Sequence, residues 1–148
     1  MFISIDAKRH NRARHVFEEL RHLPIKDKDG NPKYANAAVL LLRLFIEMSI
    51  DTYIAQKGFK HPSPTGWKDI SLIAKARAVL HDLEQSSRLQ KNVITMMNKA
   101  LTDSKKLANP NSINDYAHNR AQVVAPADLL IIWDTYSEFL LALWDGLR

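Results

Sequence analysis

The stretch ANAAVLLLRLFIEMSIDTYIAQK, residues 35–57, decides the fold. It contains neither Pro nor Gly, and Gly58 follows it, the residue that most readily ends a helix. Ala37, Leu40, Leu41, Leu44, Met48 and Ala55 form a broad apolar face at helical spacing. Leu42, Phe45, Ile46, Ile50 and Ile54 extend that face over most of the circumference. A helix apolar nearly all round belongs at the centre of a bundle. Arg43 interrupts its most apolar run and Glu47 and Asp51 follow closely, so the segment reads as a buried core helix and not a membrane span.

Outward from this helix, every periodic segment has helical spacing. Asp6 can cap a first helix to about Leu23, with Val16, Leu20 and Leu23 as its apolar stripe and Pro24 as its stop. Asp29-Gly30-Asn31-Pro32 reads as a turn. A third helix is expected near Lys68–Gln85 and a fourth from about Leu89 to Asp103. Ser112-Ile113-Asn114-Asp115 resembles a capping box that starts a short helix through about Asn119. Pro126 opens a last helix whose stripe runs Leu129, Ile132, Trp133, Tyr136, Leu140, Leu143, Trp144 and Leu147. No alternating strand pattern and no internal repeat is present. The expectation is an all-α fold, an up-and-down bundle of four main helices with short extra helices, forming one domain over residues 1–148.

With 148 residues the chain can bury a core without staples, and it has no cysteine, which excludes thiolate chemistry, Cys-ligated zinc and disulfides. That composition fits a cytoplasmic setting. The net charge is +5, and Lys8, Arg9, Arg12, Arg14 and Arg21 cluster at the front among His10, His15 and His22. Such a cluster permits contact with RNA, DNA or an acidic protein, and is equally the solvated face of a helix. No phosphate-binding Gly loop, nucleophile elbow or His-Glu-x-x-His pair exists, and the histidines lack ligand spacing, so neither a metal nor a cofactor is expected.

Two polar features remain. Arg43, Glu47 and Asp51 follow at i, i+4 and i+8 along the apolar helix, where unpaired charge is costly. They read either as an ion-pair ladder at the bundle edge or as the wall of a polar cleft. His118 lies in a polar island between apolar helices, with Asn114 one turn before it. A histidine there can act as general acid or base, or can tie the short helix to the core.

The block Asn36–Glu47 resembles the second helix of HEPN-superfamily domains, which often reads A-x-x-L-x-R-x-x-x-E. The block Ser112–Asn119, followed by Pro126–Leu129 and Trp133, is similar to the segment leading into their last helix, particularly in HEPN-like domains at the C-termini of prokaryotic ParB/sulfiredoxin-like and phage-defence proteins. The resemblance covers about Ala35 to the C-terminus. It implies a helical bundle, frequent homodimers, placement at the end of a longer chain and, in many members, metal-independent endoribonuclease activity. The catalytic motif of such enzymes is an Arg, four to six residues, then a His. His118 falls on the motif His and Asn114 on the polar residue after the Arg, but the Arg position is Ile113, which cannot supply a cation to a phosphate.

Three functional expectations follow. The first is a non-catalytic HEPN-like dimerisation or interaction module of a prokaryotic defence or toxin–antitoxin-type system, with a second copy or another protein as its partner. The second is a ribonuclease in which His118 acts as acid or base, Asn114 orients the phosphate, and Arg43 (beside Glu47) or Arg120 stabilises its charge. The third is a nucleic-acid-binding domain using Lys8, Arg9, Arg12 and Arg14.

Overall fold

The computed structural model describes residues 2–119 and 123–148. Among these, six helices follow one another: α1 (Asn11–His22), α2 (Ala35–Lys57), α3 (Leu72–Gln85), α4 (Lys91–Thr102), α5 (Pro110–His118) and α6 (Pro126–Asp145). No strand occurs among the described residues, only an isolated antiparallel bridge between Lys26 and Pro32. The chain is therefore all-α. No helix among the described residues is long and apolar enough to cross a membrane.

The predicted central helix has the expected boundaries. Gly58 adopts φ +68°, its N–H bonds to the Ala55 carbonyl, and the Phe59 N–H bonds back to Ile54, which closes the last turn. Around α2 pack α1, α3, α5 and α6, while α4 bridges α3 and α6. The core lies mainly between α2 and α6. Phe45 is completely buried there, with the Phe17 ring stacked at 5.1 Å and the Trp144 ring at 6.4 Å. The buried Ser49 Oγ accepts the Trp144 indole N–H at 3.0 Å and donates to the Phe45 carbonyl at 2.6 Å. That serine lets an indole sit in an apolar core with its donor satisfied.

The buried face of α2 differs from the expected one. Ala38, Val39, Leu42, Phe45, Ile46, Ser49, Ile50 and Tyr53 point inward. Ala37, Leu40 and Ala55 are exposed, and Leu41, Leu44 and Met48 are half-buried. Where nearly every position is apolar, periodicity offers no contrast with which to choose the inward side.

Three helix starts are also corrected. Asp6 does not cap α1: its Oδ1 accepts the Lys8 N–H and its carbonyl the His10 N–H, forming a separate turn before Asn11. α3 begins at Leu72 and not Lys68, because Ser71 caps it through the Ala74 N–H. α5 begins at Pro110, with Asn109 accepting the Asn111 N–H, while Ser112 Oγ donates to the Ser104 carbonyl instead of forming a capping box. α6 ends at Asp145, just short of the expected stripe.

The loop after α1 is held by Asp27, whose Oδ1 accepts the N–H groups of Asp29 and Asn31, both at 2.9 Å. The Asn31 N–H above all holds its carboxyl below the usual 3.8. A depressed carboxyl contributes stability above its unfolded value and loses it as pH falls through the folded value. Acidification is thus expected to release this turn at a pH below 3.8, readable as a titration of the Asp29 and Asn31 amide resonances. A midpoint at or above 3.8 would contradict the arrangement.

Candidate functional site

The polar line on α2 resolves into two separate pairs. Arg43 and Glu47 meet at 3.4 Å, both about one-third exposed. Asp51 turns to the next helix and takes the Lys75 ammonium of α3 at 2.8 Å. A pair this exposed is worth little on its own. Arg43 is also a packing residue. Its stem borders a void of about 10 Å³ together with Ile46, Leu72, Pro110, Ile113 and Tyr136, and its Nε is buried without a hydrogen bond among the described residues.

This places Ile113 firmly in the core, 2% exposed, beside the guanidinium stem of Arg43. The isoleucine at the motif position is a core residue of the α2–α5 contact. α5 runs antiparallel to α2: its start faces Arg43, while beyond its end the Val124 N–H bonds to Asn36 Oδ1 at the start of α2. His118 is the last residue of α5, exposed, and five residues or about 7.5 Å along the axis from Ile113. It therefore lies toward the beginning of α2, whereas Glu47 lies one turn beyond Arg43 in the other direction. Asn114 is half-buried between the two. The structure joins Arg43 to Glu47 but does not gather His118 with them. Arg120 lies outside the described residues.

The connection into α6 is anchored by Tyr116. Its hydroxyl donates to Asp128 at 3.0 Å and accepts the Ala125 N–H at 2.9 Å. Burial and the Asp128 carboxylate push this phenol up, against the opposing effect of the Ala125 N–H. It is a neutral tether at ordinary pH. Tyr53 and Tyr136 are likewise pushed up, foremost by burial, and donate to Asp82 and to the Ala108 carbonyl. None of the three is poised as a base.

At the front, Arg9 pairs with Asp6, and Glu18 pairs with both Arg21 and His22. Lys8, Arg12 and Arg14 are exposed. The basic cluster is therefore partly neutralised by acids of its own helix and of the turn before it.

What does stand out is the outward side of α2. Ala37, Leu41, Leu44 and Met48 step along it at intervals of four, three and four, with Leu40 beside them at 47% exposure and the N-cap residue Tyr34 just before them at 57%. That is the spacing of a seam between two helices. Ala37, Leu40, Leu41, Leu44 and Met48 were legible as an apolar face; that it is only partly covered, with Leu41, Leu44 and Met48 half-buried against the core, was not. A separate apolar groove of about 340 Å³ opens between α1, α2 and α6, with Leu20, Leu23, Leu42 and Trp133 in its walls and the half-exposed Leu130 at its rim. Leu130, off the main stripe of α6, was the sequence signal for it, whereas its neighbour Ile131 faces a different hollow, beside α4.

Comparison with protein-family models, curated proteins and solved structures gives no match.

Proposed function

We propose that this chain is an assembly module, a HEPN-like helical bundle that pairs with a second copy through the outward stripe of α2, within a prokaryotic defence or toxin–antitoxin-type system. The observation that carries the reading is the stripe of Ala37, Leu41, Leu44 and Met48, flanked by the exposed Leu40 and Tyr34, on a helix whose opposite side is already the core. A half-exposed apolar stripe beside the charged line of Arg43, Glu47 and Asp51 is lower in free energy when a partner covers it. An isologous pair covers both stripes at once, because the same surface is offered by each partner. The HEPN-like assignment rests on the sequence blocks around Arg43–Glu47 and Ile113–Asn119.

Assembly is preferred to catalysis because of Ile113 and His118. The motif cation is replaced by a buried isoleucine, and the histidine sits apart from the Arg43–Glu47 pair. A transition-state phosphate needs its cation and its acid–base group aimed at one point.

The test is sedimentation equilibrium of the wild type, Leu44→Asp and Leu130→Asp. The wild type is expected to form a dimer of 16.9 kDa chains. A charge at the centre of the seam is expected to weaken association by about 30-fold or more, as for a central interface residue. Leu130→Asp, in the other groove, leaves the dimer intact. A wild-type monomer at all concentrations, or equal loss in both variants, sinks the proposal. Metal-free RNA cleavage abolished by His118→Ala would show that the module is an enzyme instead.

A further inference from the structure

The positive charge of this chain is concentrated away from its basic front. Residues 86–112 carry Arg88, Lys91, Lys99, Lys105 and Lys106 against Asp103 alone, a net +4 of the chain's +5. Residues 1–23 carry five Lys or Arg against three acids, a net +2, and residues 113–148 are net acidic. The concentration is also unneutralised. Among the described residues Lys91, Lys99, Lys105 and Lys106 make no ion pair, and the lone Asp103 carboxylate accepts the Lys105 backbone N–H at 2.9 Å.

The shape of this surface is a trough along the exposed side of α4. Two adjoining hollows of about 370 and 590 Å³ share Thr95, Lys99 and Lys106 in their walls. Asn92, Asn98 and Thr102 place neutral donors between the lysines, the Thr95 hydroxyl donates to the Lys91 carbonyl, and Met96, Leu107 and Ile131 make one wall of the first hollow apolar. From Asn92 to Thr102 the row runs about 15 Å. Ammonium, amide and hydroxyl groups in a concave row are the groups that contact phosphate oxygens.

We infer that the α4 trough binds the phosphate backbone of duplex DNA. Residues 86–112 contain no Phe, Tyr or Trp, so the trough has no platform on which unpaired bases could stack, as single-strand binders require. A concave row meets a duplex from outside, and its length of about 15 Å spans about four phosphates of one strand of B-form DNA, which carries one charge per about 3.4 Å of axis. An acidic peptide would satisfy the lysines but would leave the amide and hydroxyl row without a regular set of partners. The surface is distinct from the α2 seam and from the basic cluster of α1, and its use does not depend on dimerisation.

The test is fluorescence anisotropy with a labelled DNA duplex of about 20 base pairs over a range of salt, in which affinity falls with a slope set by the number of phosphates neutralised. Lys99→Glu/Lys106→Glu is compared with Arg12→Glu/Arg14→Glu, an identical change of net charge. The α4 variant is expected to bind at least about tenfold more weakly and to reduce the log–log salt slope by about 2. The α1 variant is expected to change affinity less than about threefold, as a distant, screened charge would. Thermal unfolding of each variant checks the fold, and Lys99→Gln/Lys106→Gln replaces the α4 variant if the reversal unfolds it. Equal losses in both variants would reduce the effect to net charge and overturn the inference. So would absence of wild-type binding at low salt, or tighter binding of single-stranded RNA or of an acidic peptide than of duplex DNA.

Discussion

Asn109→Ala is expected to destabilise the fold by about 2–4 kcal/mol, the sum of a lost helix cap and of buried carbonyls left unpaired. Asn109 is 1% exposed and lies between two helices. Its Nδ2 donates to the Ala100 and Leu101 carbonyls at the end of α4, at 2.9 and 3.3 Å. Its Oδ1 accepts the Asn111 N–H at the start of α5, at 3.0 Å. One amide thus closes one helix and opens the next, and alanine replaces neither function. For a chain of this length the loss corresponds to a fall in Tm of about 5–15 °C. Asn109→Ser keeps a cap oxygen but loses the reach to α4, so it should recover part of the loss. A change in Tm within about 2 °C for the alanine variant would contradict this account of the α4–α5 corner.

Phe45→Ala is expected to cost about 3–5 kcal/mol, the range for removing a fully buried aromatic. Phe45 has no exposed surface and its ring faces both Phe17 of α1 and Trp144 of α6. Its removal opens a cavity where three helices meet, and the neighbours are too firmly held to refill it. Trp144 is fixed by the bond of its indole N–H to Ser49, and it also carries the edge of His10 at 5.3 Å. The measurement is the shift of the urea midpoint, read by both far-UV and near-UV circular dichroism. A loss below about 1.5 kcal/mol would mean that the core is far looser than the packing described.

The residues that escaped the sequence show where its information stops. The boundaries of α2 were legible because Gly58 and the unbroken apolar run are local signals. Its inward side was not, since apolar residues surround it. Arg43–Glu47 could be read from i, i+4 spacing, whereas Asp51–Lys75 needs α3 to be placed first. Nothing local shows that the Asn109 amide, beside Pro110, reaches back across nine residues to Ala100. No local signal pairs Ser49 with the indole of Trp144, which is distant in the chain. At the candidate site, chain spacing put Asn114 and His118 on one short helix. Only the antiparallel course of α5 shows that His118 lies toward the start of α2 while Glu47 lies at its middle. The concentration of charge in residues 86–112 was present in the composition by segment, but the denser run of arginines and histidines near the front concealed it.

Pairing of two chains through the α2 stripe is read out by isotope-filtered nuclear Overhauser measurements on a mixture of labelled and unlabelled chains. Contacts between chains are expected from the methyl groups of Leu41, Leu44 and Met48 to the same stripe of the other copy, with none from Leu130 or Trp133. Intermolecular contacts confined to the α1–α2–α6 groove, or none at concentrations where the chain sediments as a dimer, would contradict the account.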